Sequence, residues 1–325
     1  MPRARPIADS PNLSRNLMLS LALGLGAGLI AAYFLDRVED TIKSPEEAQW
    51  ITGIPTLGII PKVKNAGALE SEFSDPRSGL SEAYRSLCAS LQFSTTSGPP
   101  KTIFVTSAGP SEGKSFTSLA IARHFATVGM KVLLIDGDLR NPSLHKKIGV
   151  NPDVGFSDYL TGACNPPETF QKTDLPNLAF MASGPPPPNA ADLLAGSRLF
   201  SLFSVGLEVF DLIVIDGPPV VGLADAPLLS SAAAATVFVI GAGQVRTGLA
   251  RAALGRLQYA RGTLIGTVLT KFYSRNAGYG YGYGYGYGSH LYGYGSPSGG
   301  NHPALPGPTM HEPGNARPTS ARESV

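Results

Sequence analysis

The chain has 325 residues, enough for one domain of about 200 residues with appendages at both ends. Its 26 basic and 24 acidic residues nearly cancel, which gives no electrostatic basis for binding nucleic acid. Cys88 and Cys164 stand far apart, and five scattered histidines share no ligand spacing with them, which argues against a disulfide framework and against a zinc centre.

Residues 1–15 are polar and hold Arg3, Arg5 and Arg15. Residues 16–35, NLMLSLALGLGAGLIAAYFL, carry no charge and end abruptly at Asp36, Arg37, Glu39 and Asp40. As a helix, twenty residues cover about 30 Å, the hydrocarbon thickness of a bilayer. The run predicts a single transmembrane helix. A buried core helix fits poorly, because uncharged runs of this length are rare in soluble domains. A cleaved signal peptide would export the rest of the chain away from ATP, against the nucleotide motifs described below. Gly24 and Gly28 form a G-x-x-x-G pair, a weak signal for helix packing.

Residues 36–76 read as a juxtamembrane segment. In SPEEAQWITGIP, Ser44 caps a short helix with an acidic first turn, and Gly53 and Pro55 stop it. A short strand is expected at 56–60. Residues 77–275 read as one domain, in which apolar strand-like runs at 102–106, 131–135, 212–215, 236–240 and 263–270 alternate with helical stretches at 114–128, 190–207, 224–233 and 247–259. The strands are continuous apolar runs, the pattern of strands buried on both faces. The fold class is therefore α/β, a P-loop fold with a mainly parallel sheet flanked by helices. One transmembrane helix precedes it, and a Gly/Tyr tail over 276–325, read as disordered, follows. Ligands in such folds sit at the carboxyl edge of the strands.

The first strand of this domain runs into FVTSAGPSEGKSF. Ala108 to Ser115 is A-x-x-x-x-G-K-S, the phosphate-loop pattern with alanine at its first glycine. Backbone N–H groups across Gly109, Pro110, Ser111, Glu112, Gly113, Lys114, Ser115 and Phe116 are the candidate nucleotide cradle, Pro110 lacking an N–H of its own. Lys114 suits the β- and γ-phosphates, and the Ser115 hydroxyl suits Mg²⁺. VLLIDGDLR closes the next strand with Asp136, Asp138 and Arg140, and LIVIDGPP closes another with Asp216. One Asp-Gly is an ordinary turn. Two, each ending an apolar run in a chain with a phosphate loop, point to metal binding and catalysis, with Ser115, Asp138 and Asp216 as candidate metal ligands.

Together, SAGPSEGKS, LLIDGDLRNP and IVIDGPP resemble the Walker A, A′ and B motifs of bacterial tyrosine kinases of the polysaccharide co-polymerase family. Weaker likeness extends over most of 81–272, and the apolar helix with GIPTLGIIP resembles the end of the chain-length-determinant region that precedes such kinases. The resemblance implies ATP and Mg²⁺ as cofactors, and a kinase on the cytoplasmic side of the inner membrane. It makes Lys114 a phosphate ligand, Asp136 the base for the tyrosine hydroxyl, Asp138 and Asp216 metal holders, and Arg140 an organiser of the A′ segment. It also implies self-association with phosphorylation between copies, work with polysaccharide polymerisation and export machinery, and reversal by a phosphotyrosine phosphatase.

In that family the substrate is the kinase's own tyrosine-rich tail. Here Tyr279, Tyr281, Tyr283, Tyr285, Tyr287, Tyr292 and Tyr294 stand in Gly-Tyr alternation. Departures are specific. SEAYRSLCASL matches the family's assembly helix at Glu82 and Arg85, but Cys88 replaces its last arginine and cannot form a bidentate ion pair. Thr270 stands where an asparagine often meets the base. The family's first membrane helix and outer domain are missing, so the sequence reads as a fragment, a mis-started frame or a stand-alone variant. A Min/Par-type positioning ATPase on the same fold is the alternative. That class usually has an early lysine in the loop, where Ala108, Gly109 and Pro110 stand, and it gives the tail no role.

Overall fold

A computed structural model describes residues 13–38, 40–63, 67, 69–96 and 98–273. The tail and its seven candidate tyrosines lie outside the described residues. In chain order the elements begin with α1 (Leu13–Val38), α2 (Pro45–Thr52), β1 (Thr56–Pro61), α3 (Leu69–Ser74) and α4 (Gly79–Gln92). There follow β2 (Thr102–Ser107), α5 (Lys114–Thr127), β3 (Val132–Asp136), α6 (Leu144–Ile148), α7 (Phe156–Thr161) and α8 (Pro166–Thr169). Next come β4 (Phe170–Lys172), β5 (Leu178–Met181), α9 (Ala190–Leu194), α10 (Ser197–Val209) and β6 (Leu212–Asp216). The chain then forms α11 (Asp225–Ala232), β7 (Ala235–Gly241), α12 (Thr247–Tyr259) and β8 (Leu264–Phe272).

The strands make one sheet in the order β1-β8-β7-β2-β6-β3-β5-β4. Every neighbouring pair is parallel except β4 with β5. Alternation within each buried strand explains the continuous apolar runs. Phe104, Leu133 and Ile135 point into one core, which α7, α9, α10, α11 and α12 cover. Ile103, Val105, Val132 and Leu134 point into the other, under α4 and α5. Cys88 belongs to that second core and is fully buried.

In α1, the stretch Leu13–Ala32 is exposed and apolar, with a mean hydropathy of 1.5; it is the one helix among the described residues long and apolar enough to cross a membrane. The chain then enters the fold early. Ile42 is fully buried, its N–H donates to the Val245 carbonyl at 3.0 Å, and its own carbonyl accepts from Gly243 at 2.8 Å. Ser44 and Glu47 form a capping box on α2, and left-handed Gly53 ends it. The strand expected at 56–60 is an edge strand of the main sheet, parallel to β8. Two glycines admit it: a Cβ on Gly266 would lie 2.3 Å from Leu57 Cγ, and one on Gly58 would lie 2.9 Å from Leu87 Cβ. Residues 40–61 are thus built into the fold, with β1 as an edge of the sheet.

The single helix expected at 190–207 is two helices. Gly196 takes an extended backbone (φ −74°, ψ 161°) and caps the second, since glycine resists the helical interior. Elements α6, α7, α8, β4 and β5 are three to six residues long, too short for periodicity to reveal them.

Candidate functional site

Strands β2, β3 and β6 are adjacent and parallel, so their carboxyl ends lie at one rim. The loop after β2 is held in a strained form: Ser111 has φ 62°, and Gly113, which opens α5, has φ 101°. Lys114, Ser115 and Phe116 occupy the first turn of α5, where N–H groups have no helical partner. The Phe116 side chain packs edge-on against Phe73 at 5.2 Å, so only its backbone faces the loop. The Glu112 side chain also turns inward and is 2% exposed. Both side chains serve the scaffold, and only the backbone N–H groups of Glu112 and Phe116 belong to the candidate cradle.

Asp136 and Asp216 are directly opposite one another in the β3–β6 register, at the last position of each strand. The glycines after them permit this closeness. The Gly137 N–H donates to the Asp216 carbonyl at 2.8 Å, and a Cβ on Gly217 would meet Phe104 at 2.1 Å. Asp136 Oδ2 accepts from the Ser143 and Leu144 N–H groups, both at 3.1 Å. Its Oδ1 and both Asp216 oxygens are buried without a hydrogen-bond partner. Burial first, then the Asp216 charge, holds the Asp136 carboxyl well above the usual carboxylate range. Burial also raises Asp216, against the pull of the Lys114 charge and the Ser115 and Ser118 hydroxyls.

Lys114 Nζ donates to Asp138 Oδ2 at 3.2 Å, and Asp138 Oδ1 accepts from the Asn141 N–H at 3.0 Å. The Ser143 hydroxyl reaches the Ser115 hydroxyl at 3.3 Å. Arg140 forms a two-pronged pair with Asp225 at 2.7 and 3.2 Å. Asp225 is 1% exposed, so this pair ties the A′ segment to the head of α11. Local sequence signals do not reveal that pairing, because 85 positions separate the partners.

The loop is braced from the other side. The Thr270 hydroxyl donates to the Glu112 carbonyl at 2.5 Å, and Lys271 Nζ donates to the Ser111 carbonyl at 2.5 Å. Thr270, at the position where the family often has an asparagine, is buried against the loop. Beyond Lys271 is a cavity of about 370 Å³ lined by Lys43, Lys62, Gln244, Lys271 and Tyr273 among others. Lys62 lies over the Tyr273 ring at 4.6 Å. Burial and the Lys62 charge lower the Lys271 pKa. Among the described residues, no carboxylate lines this cavity.

Among the described residues, no set of three or more His, Cys, Asp or Glu side chains forms a metal cage. The rim instead offers the Ser115 hydroxyl and the unpartnered oxygens of Asp216 beside Asp138. That donor set fits Mg²⁺, which keeps several waters and takes one or two carboxylates.

No protein-family model matches the chain. The tyrosine-protein kinase YwqD of Bacillus subtilis is 34% identical over 207 residues, which cover 63% of this chain and 87% of YwqD. The putative tyrosine-protein kinase EpsB of Ralstonia solanacearum is 30% identical over 290 residues, 86% of this chain but 37% of that longer protein. Among solved structures, the kinase domain of the Escherichia coli tyrosine kinase ETK superposes with a TM-score of 0.68 at 26% identity, covering 75% of this chain and all of that domain.

Proposed function

This chain belongs to the family of bacterial tyrosine-protein kinases, and from that premise we propose that it transfers the γ-phosphoryl group of Mg·ATP to tyrosines of its own C-terminal segment. One observation carries the reading: Lys114 and Asp138 are paired at 3.2 Å on the rim where Asp136 faces Asp216. A phosphate-binding cation and the acids for metal and proton transfer converge there.

In this reading the loop N–H groups and Lys114 hold the β- and γ-phosphates, and Lys114 turns away from Asp138 to do so. Ser115, Asp138 and Asp216 would hold Mg²⁺, which would neutralise charge on the phosphate oxygens. A phenol is ionised to about one part in a thousand at neutral pH, so it needs a base. Asp136 Oδ2 is held by two N–H groups, which leaves Oδ1 for the proton. The phenolic oxygen attacks the γ-phosphorus, the bond to the β–γ bridging oxygen breaks, ADP departs and the phenol proton passes to Asp136. The cavity beside Lys271 takes the base and ribose.

The tail's starting point supports the choice of acceptor. β8 is parallel to β7, so the chain leaves the sheet at Tyr273 on the phosphate-loop rim. Tyr279 is six residues further on, a reach of about 20 Å when extended. Anchored by α1 in the inner membrane with its kinase domain cytoplasmic, the protein acts between copies and serves polysaccharide polymerisation and export, with a phosphatase resetting it. The test is incubation with Mg·ATP and detection of phosphotyrosine. Wild type labels and Lys114→Met does not. Phosphate released without labelled tyrosine identifies a switch ATPase instead.

A further inference from the structure

The buried carboxylate in the phosphate loop has no part in the chemistry above. Glu112 lies between two backbone donors that belong to different walls of the site. Its Oε1 accepts from the Gly109 N–H at 2.5 Å, within the loop itself. Its Oε2 accepts from the Gly241 N–H at 3.1 Å, at the end of β7. Gly241 leads directly into Ala242, Gly243 and Gln244, which line the lysine-rich cavity. The carboxylate therefore bridges the wall that takes phosphates and the wall that takes the rest of the ligand.

Other contacts leave it little freedom. Its own carbonyl accepts from Thr270, and the preceding Ser111 carbonyl accepts from Lys271. Lys114 and Lys271 are the charged groups that face it. A glutamine supplies one acceptor oxygen and sets an NH₂ against the second N–H; an alanine supplies neither. An apolar side chain would fill the same space but leave both N–H groups without this acceptor.

We propose that Glu112 is a positioning residue that holds the phosphate loop and the cavity wall at a fixed spacing, so that the two ends of one nucleotide are gripped together. This rests on the nucleotide reading above. Burial pushes the Glu112 carboxyl up to about 7. A protonated carboxyl loses an acceptor and faces two N–H groups with one free oxygen, so the clamp loosens as pH falls from 8 to 6.

The experiment is calorimetric titration of the full chain in detergent with Mg·ATP and, separately, Mg·tripolyphosphate, which has the phosphates and no base end. In Glu112→Gln, ATP binding is expected to weaken about tenfold to a hundredfold, and tripolyphosphate binding by much less. The wild-type advantage for ATP is expected to shrink between pH 8 and pH 6. Equal losses for the two ligands, or an unchanged ATP affinity, overturn the proposal. Glu112→Ala, checked by thermal unfolding, carries the same comparison if the glutamine variant does not fold. Wild type that binds tripolyphosphate but not ATP also overturns it. Wild type that binds neither defeats the nucleotide reading itself, and the clamp with it.

Discussion

At the residue scale, the rim is arranged at the expense of stability. Asp136 and Asp216 are buried carboxyls side by side; burial raises both, the Asp216 charge adds to the rise at Asp136, and the Asp138 charge adds to the rise at Asp216. A carboxyl raised above its unfolded value binds its proton more tightly in the folded state. The native state then holds more protons than the unfolded one above about pH 4, and stability falls as pH rises through that window. Asp216→Asn removes the charge without changing the volume. It is expected to raise the melting temperature by several degrees at pH 8 and by less at pH 5, while abolishing transfer. Mg·ATP should stabilise the wild type and not this variant. A variant that melts below wild type at pH 8 would contradict this electrostatic reading. The three acids and Lys114 were legible in the sequence because each closes or follows an apolar run. Asp225 and the inward turn of Glu112 were not, because both depend on partners 85 and 129 positions away.

At the element scale, the core strands and the β1 edge strand were readable, and the β5–β4 edge was not. Runs such as TIFVTS and LIVID are buried on both faces, so apolar continuity marks them. β4 and β5, at three and four residues, carry no comparable pattern. The membrane-proximal segment reads locally as a helix and a strand, but local signals do not reveal that β1 pairs with β8, more than 200 positions later. That pairing has a consequence. A truncation beginning at residue 39 keeps Ile42 and β1; one beginning at residue 76 removes both and leaves the edge of β8 open. The shorter protein is expected to unfold at a temperature lower by several degrees, and to aggregate more readily. Equal melting of the two truncations would mean that β1 adds nothing to the fold.

At the scale of the whole molecule, one rim has two lines of supply. In the proposed reading nucleotide meets the loop after β2, and the chain beyond β8 leaves from the same rim at Tyr273. Residues 276–325 are formally neutral, and seven phosphotyrosines would add about −10 to −14 charges. That load repels tails from one another and from the acidic rim, so phosphorylated copies are expected to separate. The central claim is narrower: the Lys114 site puts phosphate on these tyrosines. The most direct measurement is the intact mass of the full chain after incubation with Mg·ATP, followed by mapping of the modified residues. The expected result is a ladder of up to seven phosphoryl additions confined to Tyr279 through Tyr294, absent from Lys114→Met. ATP turnover with an unmodified tail would contradict it.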